Sequence, residues 1–158
     1  MNDDRPVVIR VEPADSATAR WCIDSYFAEL DTRFETGFDP ELSLSADADE
    51  LTPPRGVLLV AWRDDEPLGC GALKFHDDRP TEIKRMWVSR TARGLGLGRR
   101  MLDALEQQAA AHGAAAVQLE TNRSLTEAIA MYRSAGYREV EAFNDEPFAH
   151  HWFEKQLA

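Results

Sequence analysis

Three glycines and three arginines crowd into "RGLGLGRR", residues 93–100. They lie between a strand-like run, "TEIKRMWV", and a helix-like run in which Gly98, Met101, Leu102, Leu105 and Ala109 mark one face. Glycines let backbone approach a ligand closely, and first-turn amides with the helix dipole attract anions, so the chemistry on offer is phosphate binding. Two phosphate motifs fail on spacing. With Gly94 and Gly96 as the first glycines of G-x-G-x-x-G, Arg99 takes the third place; with Gly96 and Gly98, Met101 does. No G-x-x-x-x-G-K-[ST] string occurs. What remains is Arg93-x-x-Gly96-x-Gly98, with Arg93, Arg99 and Arg100 supplying positive charge. The same string also suits a glycine-rich helix entry whose arginines are solvated.

The positioning elements follow from periodicity and turn chemistry. Val7 to Val11 is a strand ended by Pro13. Asp15 or Ser16 caps a helix whose apolar face is Ile23, Tyr26, Phe27, Leu30 and Phe34. "ETGFDPELSLSADADELTPP" reads as a second short helix and a substrate-side loop. "GVLLVAW" and "LGCGALKF" form a hairpin across "RDDEP". In the strand "TEIKRMWV", period-two alternation sets Ile83, Arg85 and Trp87 against Glu82, Lys84, Met86 and Val88. "AAAVQLETN" is a strand. "SLTEAIAMYRSAG" is a helix with Ser124 and Glu127 as a capping box, and "YREVEAF" and "AHHWFEKQL" are closing strands. The expected order is β-α-(α)-β-β-β-α-β-α-β-β, an α/β fold with a mixed sheet and helices on both faces.

Composition narrows the classes. The chain has 158 residues, 44% hydrophobic and 29% charged, which suits a single globular domain over 1–158. A formal net charge of -10 argues against nucleic acid and favours a cationic acceptor. Cys22 and Cys70 read as buried free thiols, and the acidic "MNDDRPVVIR" has no leader-type apolar region, so the expectation is cytoplasmic. No apolar run reaches the ~18 residues of a membrane helix. His150 and His151 are adjacent, so they would point to opposite sides of a strand, and no Cys/His cluster has zinc spacing; no metal is expected.

R-x-x-G-x-G after this strand resembles the acetyl-CoA pyrophosphate loop of the GNAT superfamily of N-acetyltransferases. "EAIAMYRSAGYREV" resembles its second signature, A-x-x-x-Y-x-x-x-G-[FY], here Ala128, Tyr132, Gly136 and Tyr137. The two come in the family's order, and the element order matches along nearly the whole chain. "RFETGFDP", "GCGALK", "LETN" and "FEKQL" are similar to a bacterial branch of that superfamily.

The resemblance implies a mostly antiparallel sheet splayed between its fourth and fifth strands, Glu82–Val88 and Ala115–Thr121, with pantetheine in the gap. It implies that Met86, Trp87 and Val88 line the pantetheine arm and that Arg93, Gly94, Leu95, Gly96, Leu97, Gly98 and Arg99 cradle the pyrophosphate. Tyr132 would stand near the thioester sulfur. One departure is that the family's asparagine before the cofactor-touching alanine is Leu125 here, so Asn122 or Ser124 would compensate. The chemistry needs a base for an ammonium of pKa ~10.4, a donor for the developing oxyanion and an acid for a thiolate of pKa ~8.5. Val88 N–H is the expected oxyanion donor, and Tyr132 the acid. Glu82 is the expected base, six residues before Val88 and on its strand face; Glu120 is the rival, and a water relay a third route. Arg33, Phe34, Phe38, Glu120 and Trp152 are expected on the acceptor side. The implied function is acetyl transfer from acetyl-CoA to an unidentified amine in a ternary complex, with a homodimer compatible. A non-catalytic acyl-CoA-binding module, another acyl-CoA donor and a protein amine as acceptor stay open.

Overall fold

The computed structural model describes residues 5–157; the leader reading falls in part on residues 1–4, outside the described residues. The elements are β1 (Val8–Val11), α1 (Ala17–Arg33), β2 (Gly56–Arg63), β3 (Glu66–Lys74), β4 (Thr81–Val88), α2 (Leu97–Ala111), β5 (Ala116–Thr121), α3 (Thr126–Ser134), β6 (Arg138–Val140) and β7 (His151–Gln156). They form one seven-stranded sheet ordered β1-β2-β3-β4-β5-β7-β6.

Sequence chemistry explains most boundaries. Ser16 is the α1 cap: its hydroxyl accepts from the Ala19 N–H at 3.0 Å, satisfying one of the helix's unpaired first-turn donors. β2 and β3 are nearly all apolar because both of their faces are covered. On one face, Met101, Leu102, Leu105 and Ala109 of α2 pack with Leu59, Leu73, Val117 and Phe153, all almost fully buried. On the other, Ala19 and Cys22 of α1 pack with Leu58, Val60, Cys70, Ala72 and Trp87. Burying a leucine or phenylalanine is worth roughly 1.5–3 kcal/mol, so these two cores hold the frame on which the site hangs.

The sheet is antiparallel except between β4 and β5. That parallel pair has two rungs only, Thr81–Val117 and Glu82–Gln118, and beyond them the strands part, as the resemblance implied. β7 then pairs with β5 along six residues and closes the second half of the sheet.

Three local expectations change. Residues 35–55 form turns and bends rather than a second helix. Asp31 Oδ1 accepts the Phe38 N–H at 2.9 Å, and Glu50 binds Lys74 at 2.7 Å, so side-chain acceptors take up the chain there. The capping box on α3 does not form. Leu125 is the cap with no side-chain bond, because Glu127 turns to Arg33 at 2.7 Å and the Ser124 N–H goes to Asn122 at 2.9 Å. The penultimate strand is only Arg138–Val140, shorter than "YREVEAF".

Candidate active site

The chain leaves β4 through a short 3-10 turn, Arg90–Ala92, and enters α2 over Gly94 and Gly96 at φ 88° and 70°. A Cβ at either would meet nothing within 4 Å, so the left-handed backbone, not crowding, calls for glycine. Gly96 caps α2 with no side-chain acceptor. The N–H groups from Gly94 to Arg99 find no hydrogen-bond acceptor among the described residues. A row of unbonded amides at a helix N-terminus is the donor set a pyrophosphate requires. Gly98 serves differently: its Cβ would sit 3.2 Å from Met131 Sδ, so it lets α2 and α3 approach. Arg93 binds Glu29 and the Val88 carbonyl, and Arg99 pairs with Asp103 at 3.3 Å. Arg100, expected to add charge at the loop, instead donates to the Val7 carbonyl at 3.0 Å and ties α2 to the start of the chain.

A cavity of about 500 Å³ runs from this loop along the splay. Arg93, Gly94, Gly96, Gly98, Val88 and Tyr132 are among its lining residues. Ser89 N–H bonds the Leu68 carbonyl, which makes Gly69–Val88 the non-bonded pair of that ladder. The Val88 amide therefore points away from β3, into the splay. Trp87 faces the α1 side, its ring edge-on to Trp21 at 5.7 Å and its indole N–H 3.4 Å from Glu29.

β4 carries a bulge that the alternation did not foresee. Cys70 pairs with Trp87 and Ala72 with Lys84, so Arg85 and Met86 together face the single residue Gly71. Arg85 sits at φ 53°, uncommon for a residue with a side chain and costing roughly 1–2 kcal/mol. The extra residue reverses the facing. Ile83, Met86 and Val88 all pack toward the α2 core, while Arg85 lies over Phe27 of α1 at 4.9 Å. Glu82, one residue out of step with Ile83, is thus on the opposite face from Met86 and Val88, which corrects the expected shared face.

A second cavity, about 100 Å³, opens on the α1 side of the splay. Phe34, Phe38, Phe148, Lys84, Arg85, Glu120 and Glu146 are among its lining residues. It shares Tyr26, Leu30, Met86, Leu125, Ala128 and Tyr132 with the first, so the two meet at that wall. Tyr132 is 7% exposed, its hydroxyl 4.0 Å from Met86 Sδ, and burial pushes its phenol well above the usual range.

Two buried carboxylates share one lysine. Lys84 Nζ lies 2.5 Å from Glu120 and 3.1 Å from Glu82. Burial alone would lower the lysine, but Glu120 and Glu82 outweigh it and hold it above its ordinary value. Burial would raise Glu82, but Lys84 and His76 hold it below its ordinary value. Glu82 also contacts His76 at 2.8 Å and Arg79 at 3.4 Å, and it lines neither cavity. Glu120 does line the smaller one; its side chain is 9% exposed and its Oε2 is buried without a partner.

The other expected residues divide. Phe34 and Phe38 line the smaller cavity, edge-on to each other at 5.8 Å. Arg33 lines the larger cavity instead, held by Glu127, Glu29 and the Ser124 carbonyl. Trp152 lines neither: it pairs across from Glu120 and donates its indole N–H to Asn144 at 2.9 Å. Asn122 lies at the smaller cavity, but its amide is spent on the Phe148 carbonyl and the Ser124 N–H. Ser124 lines neither. Leu95 is half exposed and Leu97 is buried under the loop. Sequence reading missed Glu146 and Phe148, which reach the site from the β6–β7 connection. No local pattern marks them.

The comparisons with known proteins identify the family and the fold. The sequence pattern of the Acetyltransferase (GNAT) family matches residues 23–137, a span that holds the loop, the splay and Tyr132. An IAA acetyltransferase of Azospirillum brasilense is 37% identical over 116 residues, 73% of this chain and 76% of its own. YsnE, an uncharacterized N-acetyltransferase of Bacillus subtilis, is 33% identical over 108 residues, 67% and 72% of the two chains. Two solved structures share the fold. A GNAT family acetyltransferase of Staphylococcus aureus superposes with a TM-score of 0.79 at 15% identity, covering 97% of this chain and 100% of that one. One of Elizabethkingia anophelis, with acetyl-CoA bound, gives 0.68 at 18%, covering 98% and 100%. From the glycine loop to the wall at Tyr132, the chain is an N-acetyltransferase of the GNAT family.

Proposed function

We propose that the enzyme moves the acetyl group of acetyl-CoA directly to an amine held in the smaller cavity. The observation that carries this reading is the shared wall: a donor-side cavity with free amides and an acceptor-side cavity with a free carboxylate oxygen meet at Tyr132 and Met86. Cys22 and Cys70, both buried, line neither cavity, which favours direct transfer over an acetyl-cysteine.

The amides from Gly94 to Arg99 would hold the pyrophosphate, with Arg93 and the α2 dipole adding charge. Bound there, acetyl-CoA supplies its acetyl group as a thioester, the new C–N bond forming as the C–S bond breaks. Glu120 Oε2 takes the proton of the attacking amine, and Glu120 replaces Glu82 as the preferred base because it lines the smaller cavity and this oxygen has no partner. Lys84, fixed by two carboxylates, orients Glu120. The Val88 N–H is aimed at the carbonyl oxygen, where negative charge grows. Tyr132 keeps its proton at neutral pH and gives it to the departing sulfur.

The test is acetyl-CoA turnover, read as free thiol, across amines, amino acids, polyamines and lysine peptides, with Glu120→Gln and Tyr132→Phe alongside. Release that requires one amine class and falls in both variants is expected. An acetyl-CoA-dependent rise in Tm without release for any acceptor would overturn the transfer.

A further inference from the structure

We propose that the acceptor is a small zwitterion, an amino acid with an apolar side chain, whose carboxylate binds Arg85 while its amine meets Glu120; this rests on the acetyl-transfer reading of the same site. The observation is an unpaired guanidinium. The chain has 28 Asp and Glu against 18 Lys and Arg, so a cation easily finds an anion in it. Arg33, Arg93, Arg99, Arg133 and Arg138 each do; Arg10, Arg20, Arg90 and Arg100 have no ion pair among the described residues, but none of them lines a cavity beside an unpartnered carboxylate oxygen. Arg85 lines the smaller cavity, and its guanidinium has no hydrogen-bond or ion-pair partner among the described residues; its Nε is buried, and the guanidinium has only the Phe27 ring beneath it. A half-buried guanidinium whose Nε is buried without an acceptor lacks an anion.

The backbone is bent to put it there. Regular alternation would send Arg85 to the α2 face with Ile83. The bulge at φ 53° turns it to the α1 face instead, and bulges next to active sites commonly re-aim one side chain. The other charged groups of the cavity are committed. Lys84 is bound by Glu82 and Glu120, and Glu146 accepts from Ser43 and Leu44. What is left open is one cationic fork and one carboxylate oxygen, Glu120 Oε2. A molecule with an ammonium and a carboxylate satisfies both. Phe34, Phe38 and Phe148, in mutual ring contact at 4.8–6.0 Å, offer the apolar part a surface. A polyamine, the ligand that net charge alone suggests, would instead set a second ammonium against Arg85.

The test uses the intact enzyme with matched acceptors: L-leucine, L-leucinamide and 3-methylbutylamine, and the corresponding phenylalanine set. Free thiol gives kcat/KM, and calorimetry gives binding of the two amino acids to the CoA-loaded enzyme, where no transfer occurs. The acid is expected to exceed its amide and its decarboxylated amine by roughly tenfold or more, the worth of a charge-assisted pair. Arg85→Leu should lower kcat/KM for the acid by roughly tenfold to a hundredfold more than for the amine, with Arg85→Lys between. The acetyl-CoA-dependent rise in Tm checks that each variant is folded, and Arg85→Lys replaces a variant that is not. If transfer occurs but the carboxylate makes no difference, or Arg85→Leu lowers acid and amine alike, the inference falls and transfer stands. If no acceptor releases thiol yet the amino acids bind in an Arg85-dependent way, the inference stands and transfer falls. Failure of both amino acids to bind overturns the inference.

Discussion

The two cavities that meet at Tyr132 are built by opposite means. The donor side is a backbone device: consecutive residues, two left-handed glycines and a helix N-terminus present amides, and side chains contribute little. The acceptor side is a side-chain device. Phe34 and Phe38 come from just after α1, Arg85 from β4, Glu120 from β5, and Glu146 and Phe148 from the β6–β7 connection. A backbone grip reads any molecule with the same pyrophosphate, which suits a shared donor. A side-chain grip can be rewritten one residue at a time, which suits an acceptor that differs between relatives.

The contrast can be broken most severely at Glu120. Glu120→Gln should lower kcat by roughly 10²–10⁴-fold while acetyl-CoA binding changes little, because the proposed base lines the smaller cavity alone. A parallel collapse of acetyl-CoA binding, read by calorimetry, would mean the two sides are not separable. Tyr132→Phe comes next, with kcat lower by roughly 10–10²-fold and KM for acetyl-CoA nearly constant. Steady-state kinetics that showed a KM effect alone would make Tyr132 a packing residue.

Gly96→Val strikes the donor side. Forcing a β-branched residue into φ 70° costs at least about 1–2 kcal/mol, so KM for acetyl-CoA should rise roughly tenfold at similar kcat. An unchanged KM would remove the left-handed turn from the donor grip. Glu82→Gln should have the smallest catalytic effect, under about tenfold, since Glu82 reaches the cavity only through Lys84. Its signature is thermal: Tm lower by roughly 5–10 °C at neutral pH, as a buried pair is broken. Lys84 and His76 depress the folded carboxyl, so this stabilisation is present above the unfolded carboxyl pKa of about 4.3. It fades as pH falls through the folded value. Melting curves of both proteins from pH 7 downward should converge; a gap constant with pH would assign the loss to packing.

Legibility in the sequence follows the same division. Gly94 and Gly96 are legible because each states a local backbone requirement within a short window; Tyr132 is singled out only by the family's second signature. The mixed sheet is legible in the element order, and its splay only through the family resemblance. The facing of Glu82 could not: counting by twos assumes an unbroken ladder, and an arginine at φ 53° announces no bulge. The Ser124–Glu127 box was misread because a distant partner, Arg33, outbids the local amide for Glu127. Asn122 was read as a cofactor contact, but it is consumed by Phe148 and Ser124. Glu146 gave no signal because its partners lie about a hundred residues earlier in the chain.

That last carboxylate ties together two loops that the sequence keeps far apart. Glu146 accepts from the Ser43 hydroxyl at 2.9 Å, from the Leu44 N–H at 2.8 Å and from the Phe148 N–H at 3.4 Å. The loop after α1 and the loop before β7 therefore make up a single exchangeable part. A graft that transplants one of them from a relative with another acceptor would strand a buried charge in the other. Retargeting this enzyme means moving both loops together, with the glutamate as the rivet that must travel with them.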